Sequence, residues 1–429
     1  MRIEFMKKSL SPLSIHGGEP AAKNVVFRKW PATTKEDEAL VLASLRQDSH
    51  AFGPHADMLQ KEFAAWNGNR FCLATNAGTA ALHMCIAACD VRPGDEVITT
   101  ALSWTSSATA IIHHNGIPVF VDVDWDSMCM DPAKIETAIS EKTKAILVVH
   151  YWGVSCDMDP IMDIAKRHNL KVIEDACQAH GALYNGRKVG TMGHISAFSL
   201  NQNKNLCGGE GGLLVTDDEN LLERARAVWS FGDMRPADSG RDYHNYGLGY
   251  MYRTSDLAAA FALSGLRRLD ETNRHAQANW KRLDDALIGT PNLVRSWSTP
   301  ERPTNGYAYV LRVDPAYAKQ RGVTLRAMTE GIVAALKAEG VNTSIANWLL
   351  PAHAVFQAKN AYGNGEPWAS HARPEVSYAL DQFPVAQQCI DTCLWGINNH
   401  RPPNGPEQID ALAAAIRKVF THLDDVPVA

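Results

Sequence analysis

The segment Phe198–Gly212, FSLNQNKNLCGGEGG, carries Lys204 between the end of a predicted strand and a run of glycines. Upstream, Val172–Gly181, VIEDACQAHG, begins as an apolar strand and continues into polar residues that include Asp175. A lysine can form a Schiff base with an aldehyde cofactor, and an aspartate beside a pyridine nitrogen keeps that nitrogen protonated. Taken alone, Lys204 reads as a loop lysine and Asp175 as a helix cap. Their pairing in this order predicts a pyridoxal 5'-phosphate site.

The surrounding sequence predicts the scaffold. Between residues 70 and 216, short apolar and β-branched runs alternate with helical patterns, which is typical of an α/β sheet with mostly parallel strands. The predicted strands are Phe71–Thr75, Glu96–Thr99, Pro118–Asp122, Ala145–His150, Lys171–Glu174, Ile195–Ser199 and Leu213–Thr216. Ligands of such sheets bind outside the carboxyl ends of the strands. We therefore expect one crevice to gather Asp175, Ser199 and the turn at Asn76–Thr79.

Two places in the sequence could hold the cofactor's phosphate. Gly78 and Thr79 stand at the predicted start of a helix, where free amides and the positive end of the helix dipole favour an anion. Ser199 could supply a hydroxyl group from the end of its strand. An ordinary βα turn with Thr79 as a cap explains the first pattern equally well.

Two further side chains are candidates for contacts with the pyridine ring. Trp104 follows a predicted strand and could stack on the ring, although it could also be core packing. Gln178 could donate a hydrogen bond to the phenolic oxygen of the ring. His180 is assigned no catalytic role, and no metal site is predicted.

The remainder of the chain predicts a second domain. A helical pattern runs from Thr254 to about Ile288 with Ser255 as its N-cap. The later predicted elements are a strand Tyr307–Val313, a helix from about Thr324 to Glu339, and a closing helix Pro406–Leu423. We predict an N-terminal segment, residues 1–50, packing on the small domain. A large cofactor-binding α/β domain, residues 51–265, and a smaller C-terminal α+β domain, residues 266–429, complete the chain.

Composition excludes several classes of function. The chain has 429 residues, 45% hydrophobic content and a net charge of -5 with both signs scattered, so nucleic acid is not an expected partner. No stretch reaches the roughly 18 apolar residues of a membrane span, and the start lacks the apolar core of a signal peptide. Nine dispersed cysteines without a CxxC spacing fit reduced thiols. We expect a cytoplasmic protein.

In order and spacing, these residues resemble the DegT/StrS family of sugar and cyclitol aminotransferases, which are fold-type I enzymes dependent on pyridoxal phosphate. The resemblance covers nearly the whole chain. The matching motifs are Gly17-Gly18-Glu19-Pro20, Trp30-Pro31, Gly78-Thr79-Ala80, Gly94-Asp95-Glu96-Val97, Val149-His150-Tyr151-Trp152-Gly153, Glu174–Gly181 and Gly209-Glu210-Gly211-Gly212. The opening motifs look most like the branch of scyllo-inosose aminotransferases and aminohydroxybenzoate synthases.

The resemblance implies a seven-stranded large domain and a homodimer with active sites near the subunit interface. It makes Lys204 the Schiff-base lysine, places Asp175 at the pyridine nitrogen, and places Gln178 near the ring oxygen. Trp104 matches the family's stacking residue, and Gly78, Thr79 and Ser199 match its phosphate contacts. One departure is Met251, which stands where the family usually has an asparagine that reaches the phosphate of the partner subunit. Asn245 or Arg253 could compensate.

The implied reaction is a ping-pong transamination. Glutamate or glutamine would donate the amino group, and a ketone on a cyclitol or sugar-like precursor would accept it, in aminocyclitol, amino sugar or antibiotic biosynthesis. Lys204 would anchor the cofactor and then move the proton, helped by a pKa that desolvation and the cationic ring lower.

Three alternatives stay open. They are a nucleotide-linked keto-sugar as acceptor, a synthase or lyase reaction on the same scaffold, and a non-catalytic regulator. Relatives that dehydrate sugars carry histidine at the position of Lys204, so that reaction is not expected. The segments 347–353, 395–400 and 233–246 are candidates for lining the substrate pocket. Arg235 and Arg241 in the last of these keep the nucleotide-linked alternative open.

Overall fold

The structure is a computed structural model that describes residues 11–233, 244–245, 247–395 and 400–428. The strands are β1 Phe71–Thr75, β2 Glu96–Thr100, β3 Ile117–Val121, β4 Thr143–Val149, β5 Lys171–Asp175, β6 Leu183–Tyr184, β7 Arg187–Lys188, β8 Ile195–Ser199, β9 Gly212–Thr216, β10 Leu293–Val294, β11 Leu311–Val313, β12 Ser344–Ile345 and β13 Cys393–Trp395. The helices are α1 Lys35–Arg46, α2 Pro54–Asn67, α3 Gly78–Ala88, α4 Ser106–Ile112, α5 Met158–Arg167, α6 Glu219–Trp229, α7 Asp256–Arg267, α8 Leu269–Ala286, α9 Pro315–Gln320, α10 Leu325–Ala338, α11 Ala354–Gln357, α12 Trp368–His371, α13 Pro384–Thr392 and α14 Pro406–Thr421.

The largest sheet has seven strands in the order β1-β9-β8-β5-β4-β2-β3. Every neighbouring pair from β8 to β3 is parallel, whereas β9 runs antiparallel to both β1 and β8. This confirms the predicted mostly parallel α/β sheet, with strand ends shifted by one or two residues. Its strands are almost entirely buried because helices cover both faces.

The register of the sheet brings the candidate site residues to one edge. Gly212 at the start of β9 pairs with Thr75 on one side and with Ser199 on the other. A side chain at Gly212 would collide with the Ala77 backbone, since a Cβ there would lie 2.5 Å from its carbonyl oxygen. The carboxyl ends of β1, β8 and β5 therefore lie close together.

A second, antiparallel sheet has the order β10-β11-β13-β12 and packs with α10 and α14 around a separate hydrophobic cluster. Residues near the described N-terminus also contribute here. Leu13 is part of this cluster, and the amides of Ser14 and Ala21 each donate to the Glu339 carboxylate at 2.8 Å. By contrast, α1 packs against α7 beside the large sheet.

Two predicted elements were wrong in extent. The helix predicted from Thr254 to Ile288 is two helices, α7 and α8, which meet at Arg268. The Arg268 guanidinium donates to Asp37 on α1 at 2.7 Å. Ser255 is the N-cap of α7, as predicted. The strand predicted over Tyr307–Val313 shortens to β11, because the Tyr307 amide donates to the Asn305 side chain at 2.9 Å.

Among the helices within the described ranges, none combines the length and apolar character that crossing a bilayer requires.

Candidate active site

One cavity of about 440 Å³ opens at the carboxyl edge of the large sheet. All seven residues predicted for cofactor binding line it: Gly78, Thr79, Trp104, Asp175, Gln178, Ser199 and Lys204. They come from five separate strand ends and turns. This geometry agrees with the expectation that one crevice gathers these residues.

Asp175 is the last residue of β5 and is almost fully buried. One carboxylate oxygen accepts a hydrogen bond from the Ser107 hydroxyl at 2.6 Å, and the other accepts the Cys177 amide at 3.1 Å. The Ser107 hydroxyl also contacts that of Ser103 at 2.6 Å. These bonds fix the carboxylate while leaving lone pairs for a further donor in the cavity.

The Lys204 loop is held at its backbone and at its amine. The Trp30 indole donates to the Lys204 carbonyl oxygen at 3.0 Å, and Arg401 donates to the Asn203 carbonyl oxygen at 2.7 Å. The Arg401 guanidinium lies 5.4 Å from the ring centroids of both Trp30 and Tyr307. The Lys204 Nζ in turn donates to the Tyr307 hydroxyl at 3.4 Å. The N-terminal and C-terminal segments thus both position the lysine.

The acidity of Lys204 differs from the sequence expectation. Burial alone lowers the pKa of its ammonium group, as expected. Tyr307, Cys177 and Asp175 favour the charged form and outweigh burial, so the pKa lies above the ordinary value for lysine. The expectation of a lower pKa for Lys204 also counted the positive charge of a bound pyridine ring. That ring belongs to the cofactor and not to the protein.

The predicted phosphate turn has the geometry of an anion site. Gly78 begins α3, and its N-cap residue is Ala77, whose side chain cannot satisfy the first amides of the helix. Thr79 is therefore not the cap, and its hydroxyl lies 2.7 Å from that of Ser106. A Cβ at Gly78 would lie 2.8 Å from the Ser199 Cβ, so only glycine lets the turn approach Ser199 this closely.

Gln178 and Trp104 occupy different parts of the wall. The Gln178 side-chain oxygen accepts the Trp152 amide at 2.9 Å, which leaves its NH₂ group as the donor for a ligand oxygen. Trp104 has 55% of its surface exposed and meets Trp348 edge to face, with 6.0 Å between ring centroids. Trp104 is therefore not core packing.

His180 is fully buried beside Phe198, and neither of its ring nitrogens has a hydrogen-bond partner at normal distances. Burial, together with the charge of Lys204, lowers its pKa to about 3. It does not line the cavity, in keeping with the absence of a predicted catalytic role.

The sequence reasoning missed several lining residues: Ser103, Ser106, Ser107, Asn201, Asn203, Glu210 and Tyr307. The serines carried a usable signal, because they flank Trp104 after the same strand. Tyr307 carried none, since it arrives from the small domain about a hundred positions beyond Lys204.

The segments proposed for substrate contact have mixed outcomes. Trp348 of segment 347–353 lines the cavity, whereas His353 does not. His400 is buried against the Gly306 carbonyl oxygen at 2.8 Å. The remaining residues of interest in 396–399 and 234–243, including Arg235 and Arg241, lie outside the described residues.

Met251 lies beside the phosphate turn, with its carbonyl oxygen accepting the Asn76 side chain at 3.2 Å and its own side chain half exposed. Asn245 is engaged with the Phe231 carbonyl oxygen at 2.6 Å. Arg253 stacks on the same Phe231 ring at 5.8 Å. Neither compensating residue lines the cavity.

A second cavity, of about 390 Å³, lies at the amino end of β8 and is lined by His194, Thr216 and Asp217 among others. It contains no lysine. Within the described ranges, no group of three histidine, cysteine or acidic residues is placed to hold a metal ion. The cavity at the carboxyl edge is therefore the better candidate for an active site.

The sequence pattern of the DegT/DnrJ/EryC1/StrS aminotransferase family matches residues 31–380. The chain belongs to this aminotransferase family. The L-glutamine:2-deoxy-scyllo-inosose aminotransferase of Streptomyces fradiae is 33% identical over 436 residues, covering 97% of this chain and 99% of that one. The spore coat polysaccharide biosynthesis protein SpsC of Bacillus subtilis (strain 168) is 36% identical over 339 residues, covering 77% of this chain and 85% of that one.

Solved structures agree on the architecture. The crystal structure of 3-amino-5-hydroxybenzoic acid synthase superposes with a TM-score of 0.81 at 26% identity, covering 92% of this chain and 99% of that chain. The family member described here is therefore an aminotransferase of fold type I.

Proposed function

We propose that this aminotransferase uses pyridoxal 5'-phosphate to move an amino group from glutamine or glutamate to a ketone on a cyclitol or sugar-like precursor. The observation that carries the proposal is the meeting of Lys204 and Asp175 in one cavity beside the uncapped start of α3. An amine, a buried carboxylate and an anion site are the three groups that a phosphorylated pyridine aldehyde requires.

The residues present fit that cofactor. Lys204 Nζ would hold its aldehyde carbon, Asp175 its ring nitrogen, and Gln178 its phenolic oxygen, while Trp104 would cover one face of the ring. The first amides of α3, with Thr79 and Ser199, would bind its phosphate. When bound, the cofactor supplies an electron sink that makes the donor's Cα–H bond acidic.

Side chains of the protein itself would then move the proton and hold the groups in place. Once a donor amine has taken its place, Lys204 Nζ would accept the proton from the donor's α-carbon and deliver it to the carbon that carried the aldehyde, and with the acceptor it would move a proton in the opposite direction. The Tyr307 hydroxyl, 3.4 Å from Nζ, orients that amine. Ser107 keeps Asp175 aimed at the ring nitrogen through a 2.6 Å hydrogen bond.

The names of the relatives support the choice of substrates. The Streptomyces fradiae relative, which aligns over nearly the full length of both chains, is named for L-glutamine as donor and 2-deoxy-scyllo-inosose as acceptor. We infer the same substrate classes here, with a role in aminocyclitol or antibiotic biosynthesis.

A homodimer is part of the proposal. Phe231, Leu248 and Met251 are exposed apolar side chains, and Met251 contacts Asn76 of the phosphate turn through its carbonyl oxygen, so a second subunit would cover apolar surface here. Because methionine cannot donate a hydrogen bond, the phosphate would depend on groups of a single subunit more than is usual in the family.

The test is the visible spectrum of the purified protein with pyridoxal phosphate, before and after adding glutamine. We expect a lysine-dependent visible band that disappears with the donor. Lys204→Ala should lack the band, and Lys188→Ala should keep it. Lys188 is the matched control, because burial lowers its pKa and makes it prone to nonspecific attachment. A colourless wild type would instead support the non-catalytic regulator.

A further inference from the structure

The cavity has two chemically different walls. The wall formed by Gly78, Thr79 and Ser199 is polar and lies at the start of a helix. Another part of the lining is aromatic and is built from Trp104 and Trp348. The two indoles meet at 80°, with 6.0 Å between their centroids, so they form an open corner rather than a closed stack.

Trp348 is held rigidly in this corner although it comes from another part of the chain. Its carbonyl oxygen accepts the Ser103 amide at 3.4 Å, and the Leu350 amide donates to the Ala101 carbonyl oxygen at 2.9 Å. Trp152 packs behind it, with 5.2 Å between centroids at a 36° tilt. A platform that is fixed before binding loses little entropy when a ligand arrives.

Trp152 also connects this wall to the predicted cofactor contacts. It is a non-glycine residue with φ of 55°, a left-handed conformation that costs energy and is common at functional sites. In that conformation its amide donates to the Gln178 side chain at 2.9 Å while its ring supports Trp348. Trp152 therefore contacts both Gln178, the side chain proposed to bind the cofactor, and Trp348 in the aromatic corner.

The charges of the cavity favour a neutral ligand beside the corner. Glu210 lines the cavity, and its carboxylate accepts the Asn201 side chain at 2.8 Å. Asn203 also lines it. Among the lining residues that the structure describes, Lys204 is the single cation, whereas Asp175 and Glu210 are two carboxylates of the same lining. A diphosphate would meet a carboxylate here, whereas hydroxyl groups could donate to Glu210 and pair with the two amides.

We propose that Trp348 is the platform for the acceptor's ring, and that the acceptor is an uncharged polyhydroxylated carbocycle. Its C–H face packs on the indole of Trp348, Trp104 closes the side of the corner, and Glu210 with Asn201 binds its hydroxyl groups. This inference rests on the proposed function and specifies the substrate class of that site.

The first experiment measures binding without turnover. Calorimetry of the holoenzyme would use scyllo-inositol, which has no carbonyl group to aminate, and uridine diphosphate as the competing ligand class. We expect scyllo-inositol to bind and uridine diphosphate not to bind. Trp348→Ala should weaken scyllo-inositol binding about five- to tenfold, while Trp348→Phe should retain most of it, because the aromatic face supplies the contact. Trp66→Ala, a half-buried tryptophan outside the cavity, is the matched control.

The second experiment separates the two halves of the reaction. With scyllo-inosose as acceptor, Trp348→Ala should raise the acceptor KM more than it alters the glutamine-driven loss of the visible band. An equal effect on both halves would overturn the platform. Undetectable scyllo-inositol binding to the wild type, or binding of uridine diphosphate alone, would overturn the substrate class. Failure of the visible band would defeat the proposed function and the platform with it, whereas a normal visible band without scyllo-inositol binding would overturn the substrate class alone.

Discussion

Two adjacent carboxylates at the end of β5 lie in opposite surroundings. Glu174 is fully buried and accepts hydrogen bonds from Nε2 of His150 at 2.9 Å and from the amides of Gly190 and Met192 at 2.7 and 2.9 Å. Asp175 points to the other face of the sheet and into the cavity. Alternation along a strand thus places one carboxylate in a buried hydrogen-bond network and its neighbour in the cavity.

The better-bonded carboxylate is the structural one. Nδ1 of His150 accepts the Cys156 amide at 3.0 Å, so Nε2 carries the hydrogen that Glu174 receives. Burial raises the pKa of Glu174, but these donors outweigh burial and hold the pKa below its ordinary value. The carboxylate with the larger number of donors is therefore the one that does not line the cavity.

The largest expected effect is on catalysis, at Asp175, the carboxylate of the pair that lines the cavity. Asp175→Asn should lower kcat/KM roughly 100- to 1000-fold, because an amide cannot stabilise a protonated ring nitrogen as a carboxylate does. Its side-chain oxygen can still accept the Ser107 hydroxyl, so we expect little change in the urea midpoint of the cofactor-free protein. A kcat/KM within tenfold of the wild-type value would show that the Asp175 carboxylate has no important role in the reaction.

The next largest effect is expected on stability, at Glu174, the buried carboxylate of the pair. Glu174→Gln should lower the free energy of unfolding by about 3 kcal/mol, because its NH₂ group cannot accept the hydrogen bonds that one carboxylate oxygen accepts, which leaves buried donors unpaired. Urea unfolding without cofactor measures this, with Asp175→Asn as the matched variant one residue away. If the two substitutions cost the same stability, the comparison fails.

A smaller effect extends the comparison to buried histidines. Burial lowers the pKa of both His83 and His180 to about 3, helped by His114 near the former and Lys204 near the latter. The unfolded chain binds protons at these residues near pH 6.5, so folding stability is lost as pH falls from about 6.5 towards 3. At pH 5 we expect a loss of about 2 kcal/mol for each histidine.

Urea unfolding of the cofactor-free protein at pH 7.5 and pH 5 tests this. The difference between the two pH values should shrink in His83→Asn, whatever the absolute stability of that variant. Equal stability at both pH values, or higher stability at pH 5, would contradict the expected sign.

The smallest expected effect returns to the cavity. Tyr307→Phe removes the hydroxyl that accepts a hydrogen bond from Lys204 Nζ, a bond that contributes about 1 kcal/mol. The pKa of Lys204 should fall, so the lysine-dependent band should form a few-fold faster at pH 7 when pyridoxal phosphate is added. Unchanged kinetics of band formation would show that Tyr307 does not hold the amine.

The sequence predicted those parts of the site that lie immediately after strands. Asp175, Ser199, Gly78 and Thr79 follow β5, β8 and β1, and parallel strands place their carboxyl ends at a common edge. A local pattern was therefore sufficient to place them, and Trp104 and Gln178 followed from the same logic. The seven strands were predictable because each is a short apolar run bounded by polar turns.

Contacts between distant segments were not predictable in this way. Trp30, Tyr307 and Arg401 surround the Lys204 loop from the two ends of the chain and the small domain, and Trp348 reaches the wall beside Trp104. No spacing in the sequence records such contacts, because they depend on how the separate elements pack. The hydrogen bond from Arg268, where α7 and α8 meet, to Asp37 on a distant helix has the same origin.

The amino-acid sequence by itself determined the class of fold and singled out Lys204 and Asp175 as candidates, because strand periodicity and the chemistry of these side chains are local properties. The tertiary structure alone decided which carboxylate of β5 lines the cavity and which is enclosed, which way the pKa of Lys204 moves, and which aromatic rings line the cavity. These properties depend on burial and on neighbours far away in the chain, and only the packed fold brings them together.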